Sequence, residues 1–425
     1  MEKNKYLGKR GIDLVTALLC IIYISPLLIV VNPAFTKISS IIIIGISLFL
    51  LKSEKFYYIL PVFIFFNSQL FLPGDISTYR VFSLLLFLKI IFSKRSKIEI
   101  AFFLPLFAVI LYCVSVIAFY DFKQSLLVIF DLTLIVLYIS VFIRNNISTF
   151  FSYYNFGVVI SCLYGYFGLN LETFVMIEDQ MVQVTRFVGS FPDPNYLGLF
   201  LNIAILSVVV LDLVKNKTLK ITLIIFLYAS LLSTLSITGY LCNVLIISAY
   251  FIVHKKNNLK NIAILIVLGF FLSLNFKFFV NADYPVISDV AKRINSKLSV
   301  DSKSDLSTFT TERSSIWNEH LEYFAQQPIL KILFGGNYVT DFGREASFSH
   351  VSHQSFIDML LNFGLIGTLV LLFFFLRLTL NYLKNYMKTN SKEFLFLILV
   401  KVTWVFYAFG LSMFPSWTFS IFFFL

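Results

Sequence analysis

His353 and Gln354 close the one long hydrophilic stretch of this chain, and nine residues later Gly364-Leu365-Ile366-Gly367 lies inside an apolar run. An imidazole takes up a proton near neutral pH, so the pattern puts a titratable side chain where an aqueous segment enters an apolar one. Such a group can orient or deprotonate a hydroxyl, and it can equally make a structural hydrogen bond. Gly364 and Gly367 admit the close approach of a second helix, which is also their plain packing reading. His350 lies nearby but outside the spacing and serves as the control.

Arginines make the second set. Thr310-Thr311-Glu312-Arg313 precedes Ile316, Trp317, Leu321 and Phe324 at helical spacing, and Pro328 follows, which predicts an amphipathic helix over about 311–327. A cation in the first turn opposes the helix dipole and calls for an anion. A diphosphate fits, because guanidinium matches phosphate oxygens in pairs and helix N-terminal amides add to the field; an ion pair with Glu312, Glu319 or Glu322 satisfies it as well. Arg186 is the one cation in an acidic loop with Glu172, Glu178 and Asp179, so it too can serve a phosphate or pair locally. It precedes Asp193-Pro194-Asn195, where Asp193 is a plausible N-cap and Pro194 suits the first helical turn. Arg80 falls at the outer end of an apolar run, where it either holds an anionic head group or anchors at the interface. Arg344 adds a further positive charge upstream of the histidine.

The elements that must carry these residues are membrane spans. Hydrophobic residues make up 58% of 425 and charged residues 13%, with 51 Phe, which leaves a soluble fold no polar surface. Apolar runs occur at about 12–31, 38–51, 56–72, 79–92, 98–119, 125–143, 148–169, 192–212, 219–235, 237–253, 260–280, 354–376, 394–411 and 414–425, the last short enough to be a half-span. The expected fold is an all-α integral membrane bundle of about 12–14 helices in a single polytopic domain, 1–425. The net charge of +11 sits in short Lys/Arg clusters between runs, as topology requires, and does not imply a nucleic-acid partner. Those clusters put the N-terminus in the cytoplasm. Segment 170–191 and the long loop 281–353 then lie on the same external side. Within the loop, Asn295 to Thr311 is rich in Ser, Asp, Lys and Thr and reads as mobile. Cys20, Cys113, Cys162 and Cys242 sit in apolar runs without ligand spacing and read as buried thiols, with neither disulfide nor zinc expected. Asp131, Asp358 and Lys401 are ionisable residues within spans and read as helix-to-helix polar pairs; Lys89 reads as snorkelling to the inner face. No Asp-x-Asp pair, phosphate-binding loop or metal cluster is present, so no cofactor is expected.

His353-Gln354 followed by Gly364-x-x-Gly367 resembles the signature of the O-antigen ligase and O-antigen polymerase family. Arg186 with Pro194-Asn195-x-x-Gly198, and the order Arg313, Trp317, Gly335-Gly336, His353, are similar to it as well. Leu235-Ser236-Ile237-Thr238-Gly239 resembles a family Ser-Arg-Gly turn but lacks its arginine. The resemblance implies a glycosyltransferase C-like membrane enzyme of the bacterial cytoplasmic (inner) membrane, with its active site on the periplasmic face. It implies metal-independent transfer of glycan from an undecaprenyl-diphosphate-linked donor to an acceptor sugar hydroxyl, with a chain-length regulator as a candidate partner. In that scheme His353 is catalytic. Arg186, Arg313, Arg344 and Arg80 bind diphosphate, and Glu312, Asn195, Gln354, Gly364 and Gly367 support them. A repeat-unit polymerase for O-antigen or capsule is the preferred member, since polymerases are the more numerous and divergent group; the ligase that glycosylates lipid A-core is the alternative. A lipid-linked oligosaccharide flippase is the rival of another class, which would concentrate ionisable groups at the midplane rather than in external loops.

Overall fold

The computed structural model describes residues 13–92, 122–143, 146–168, 171–177, 180–254, 313–335, 354–411, 413 and 416–425. The spans expected at 98–119 and 260–280, the Asn295–Thr311 segment, Cys113, Glu312, Arg344, His350 and His353 lie outside the described residues.

The described chain is mostly helical. Helix α1 (Leu14–Ile24) starts on Asp13, whose carboxylate accepts from the Thr16 amide, and continues through a 3-10 turn into α2 (Leu28–Val31). Then come α3 (Phe35–Leu50), α4 (Leu60–Phe66), α5 (Thr78–Ile91), α6 (Phe122–Val141) and α7 (Ile147–Gly168). After a hairpin follow α8 (Pro194–Val210), α9 (Lys217–Ser233) and α10 (Ile237–His254). The loop helices are α11 (Arg313–Ala325) and α12 (Ile329–Phe334), and α13 (Ser355–Thr389), α14 (Lys392–Ala408) and α15 (Trp417–Phe424) complete the set. One continuous buried cluster, from Leu19 to Leu425, joins α1 through α10 to α13, α14 and α15.

Three elements differ from the sequence expectation. The run at 56–72 is not one long helix: a 3-10 segment, Glu54–Ile59, passes into α4, every residue of which is buried. Pro61 near its start limits it to a short core piece wrapped by aromatic neighbours. A short antiparallel pair, β1 (Phe71–Leu72) with β2 (Ile76–Ser77), lies between α4 and α5, and the 170–191 loop contains a longer hairpin, β3 (Leu171–Ile177) with β4 (Gln180–Phe187), so the fold is not purely α. The helix expected over 354–376 runs on to Thr389 but is broken at Gly364, where φ is +62° and ψ −175°.

Among the described residues, the helical stretches 14–31 and 355–389 are long and apolar enough to cross a membrane. Beyond Gly364, α13 turns a row of large apolar side chains outward, Leu365, Leu369, Phe373, Leu376, Leu380, Leu383 and Met387. Their spacing of three and four keeps them on one face. An outward apolar stripe of that length suits hydrocarbon rather than water.

Candidate functional site

Two knots of contact position the residues singled out in the sequence. The first surrounds Asn195. Asp193 caps α8 by accepting from the Asn195 amide at 2.6 Å, and Pro194 occupies the first turn. The Asn195 side chain accepts at 2.7 Å from Ser236 Oγ, which itself accepts from the Gly239 amide. Arg186, at the end of β4, is 5% exposed and donates from Nε to the Thr234 carbonyl at 3.2 Å. Leu235, between Thr234 and Ser236, takes a left-handed φ of 50°, an uncommon conformation for a bulky residue and a local store of strain. The 234–239 turn, the weakest of the sequence signals, is therefore what joins Arg186 to Asn195.

The hairpin register places Glu172 across from Arg186, and directly opposed residues share a face of the ladder. Arg186 is engaged by its bond to the Thr234 carbonyl. Arg80 is likewise engaged: its Nη1 donates to Asp131 at 2.6 Å, and the Tyr79 hydroxyl donates to the same oxygen. Asp131 thus makes the helix-to-helix pair expected of it. Lys401 is buried and donates to carbonyls of Phe422 and Phe423 near the end of α15, where a cation suits the helix dipole. Lys89 reaches the Leu51 carbonyl at 2.7 Å.

The second knot holds the start of α13, the residues directly after His353. Gln354 caps the helix, its side chain accepting from the Ile357 amide at 2.7 Å. Ser355 is fully buried, donating to the Leu411 carbonyl and accepting from the Met413 amide. Ile357 and Leu361 receive the apolar face of α11, with Trp317, Tyr323 and Phe324 packed on them. Leu321, expected on that face, is exposed instead. Below them the backbones of Gly335 and Gly364 meet. Gly335 has φ +82°, and a Cβ on Gly364 would fall on the Gly335 amide nitrogen and the Leu333 carbonyl. A Cβ on Gly367 would lie 2.8 Å from Phe363 Cβ. The glycine turn and the glycine of the histidine spacing are thus two halves of one contact. Arg313 opens α11, as expected for a first-turn residue.

Helix α14 packs against both α8 and α13, and its Tyr407 bonds Asn202 on α8. Asn202 also donates to the Gly239 carbonyl and accepts from Asn243. Asp358 is 3% exposed and accepts at its backbone carbonyl from Asn362. Sequence reasoning passed over Asn202, Asn243 and Tyr407, although polar side chains in spans are a sufficient signal. It also passed over His320, which is buried on α11 with Nδ1 2.7 Å from the Ile316 carbonyl; burial holds its pKa below the usual value of 6.5, against the opposing effects of that carbonyl and Glu319.

Residues 221–372 match the family model described as O-antigen ligase. The match supports an O-antigen ligase/polymerase-like family for this chain. It takes in the 234–239 turn from its flanking helices, α11, α12 and the glycine contact, and the position of His353, while Arg186 and Arg80 lie before it. Members of this family are glycosyltransferase-like enzymes that act on lipid-linked saccharides in the bacterial inner membrane. A search of curated proteins finds no match to the chain.

Proposed function

We propose that the protein is a repeat-unit polymerase of the inner membrane, transferring a glycan from undecaprenyl diphosphate to a sugar hydroxyl on a second lipid-linked chain at the periplasmic face. The observation that supports this reading most is that one helix, α14, packs against both α8 and α13. α8 begins in the Arg186–Thr234–Ser236–Asn195 chain of contacts, and α13 is capped by the residue that follows His353.

In this reading His353 takes the proton of the acceptor hydroxyl as its oxygen attacks the anomeric carbon. The bond from that carbon to the diphosphate oxygen breaks, and the diphosphate leaves with the electron pair. Arg313 and Arg344 meet the negative charge that develops there. Arg186 contributes from a buried position, where little solvent screens it. A diphosphate is already a good leaving group, so the step needs neither a general acid nor a divalent metal. Turnover of the purified protein on a lipid-linked repeat unit persists in excess chelator; loss of turnover restored by magnesium or manganese overturns that part.

Deleting the gene and resolving the cell's glycans on a gel tests the reading. A polymerase deletion leaves single repeat units on the final acceptor. A bare core with polymer accumulating on the carrier identifies the ligase instead, and an unchanged ladder overturns both.

A further inference from the structure

We propose that α12 is seated in the lipid bilayer, with its Ile329–Leu330 face against acyl chains, so that the long loop is anchored in the membrane beside α13. The sequence of this helix, Ile-Leu-Lys-Ile-Leu-Phe, has no buried residue, and Ile329 and Leu330 are 65% and 52% exposed. Its neighbour α11 is more polar outward, with Asn318, Glu319 and Glu322 exposed beside Leu321. Between the two helices the outward surface therefore passes from polar to apolar, as it does where a protein crosses from water to hydrocarbon.

The place where α12 docks fixes the partner. Its end meets α13 at Asn362 and Gly364, through Gly335 and the Leu333 carbonyl. From Ser355 to Phe363 α13 has no exposed large hydrophobic side chain, whereas Leu365 and Leu369 open the outward apolar stripe just past the contact. α12 thus ends against α13 where that stripe begins. Acyl chains suit both. The one charge on α12, Lys331, is half-buried, and a lysine stem can lie along apolar surface with its ammonium at the head groups. No carboxylate interrupts the face. The consequence goes beyond the chemistry of transfer: the segment that leads from α11 towards His353 is held at a fixed height by lipid as well as by protein.

Nitroxide labels distinguish the environments. Leu330→Cys, Ile329→Cys and Glu322→Cys are each made in a cysteine-free full-length chain, labelled, and reconstituted into phosphatidylethanolamine–phosphatidylglycerol vesicles. Collision with dissolved oxygen and with a water-soluble nickel chelate is then compared. Labels at 329 and 330 are expected to collide several-fold more with oxygen than with nickel, and the label at 322 the reverse. Nickel access at 329 and 330 equal to that at 322 places α12 in water and overturns the proposal. Low access to both reagents means that protein covers the face, and overturns it equally.

Discussion

His353 immediately precedes the residue that caps α13, and the cap is made by Gln354 rather than by the histidine. Removing the imidazole therefore leaves the helix start, the Ser355 bonds and the α11 contact in place. His353→Ala is expected to keep normal abundance and membrane insertion while long-chain glycan disappears, and His350→Ala to be nearly silent. Full-length polymer at matched protein level in the His353→Ala strain would return the residue to a structural role. Arg313→Lys keeps the charge and loses the paired guanidinium geometry, so partial loss of polymer is expected, with Arg313→Ala more severe. The glycines separate in the other direction. Gly364→Ala must hold a side chain at φ +62°, ψ −175° against the Gly335 backbone; that backbone region, essentially confined to glycine, alone costs about 1–3 kcal/mol. A lowered melting midpoint is expected for Gly364→Ala and Gly335→Ala. Gly45→Ala, at an α3 site with no atom within 4 Å of the new Cβ, is expected to be neutral or to stabilise by up to about 1 kcal/mol. Equal midpoints for all three would show that the Gly335–Gly364 contact does not hold the loop.

At the scale of elements, the legible features were those with local chemical causes. Asp193 and Pro194 announce the start of α8, and Thr-Glu-Arg before a periodic apolar run announces α11 within two residues of its observed ends. The hairpin was not legible as part of a membrane chain, although Val182-Gln183-Val184-Thr185 alternates as a strand does. Gly364 was read as a glycine inside a continuous helix. Its left-handed backbone depends on Gly335, some thirty residues away, and spacing alone carries no such information. The docking of α11 has a pH dependence of its own. Burial favours neutral His320, so the unfolded helix binds the proton more readily than the docked one. The stability that neutral His320 lends to docking is expected to be full well above its ordinary value of 6.5 and to be lost progressively as pH falls through that value. Hydrogen exchange over Arg313–Ala325, corrected for intrinsic rates, is expected to quicken at pH 5.5 relative to pH 7.5 in the wild type and to show no such change in His320→Gln. The same quickening in His320→Gln would assign the effect to another group.

Over the whole molecule, contacts between distant segments fall at two ends. Asp13 pairs with Lys55, Lys89 reaches Leu51, and Ser148 bonds Glu393, in segments whose positive charge leads us to expect them in the cytoplasm. Gln69 bonds Ser190, Arg186 bonds Thr234, Ser236 bonds Asn195, and Ser355 bonds Leu411, at the termini of their runs that are expected to be external. Had one apolar run been miscounted between these segments, cytoplasmic and external ends would be found bonded to each other. The sorting supports an arrangement in which the hairpin and the long loop share one side, as a site built from both requires. Single cysteines at Ser302 and Gln180 are expected to react with a membrane-impermeant thiol reagent on intact spheroplasts, and one at Asn257 to react only after permeabilisation. Labelling of Asn257 with protection of Ser302 would invert the chain in the membrane, and with it the side on which glycan could be joined.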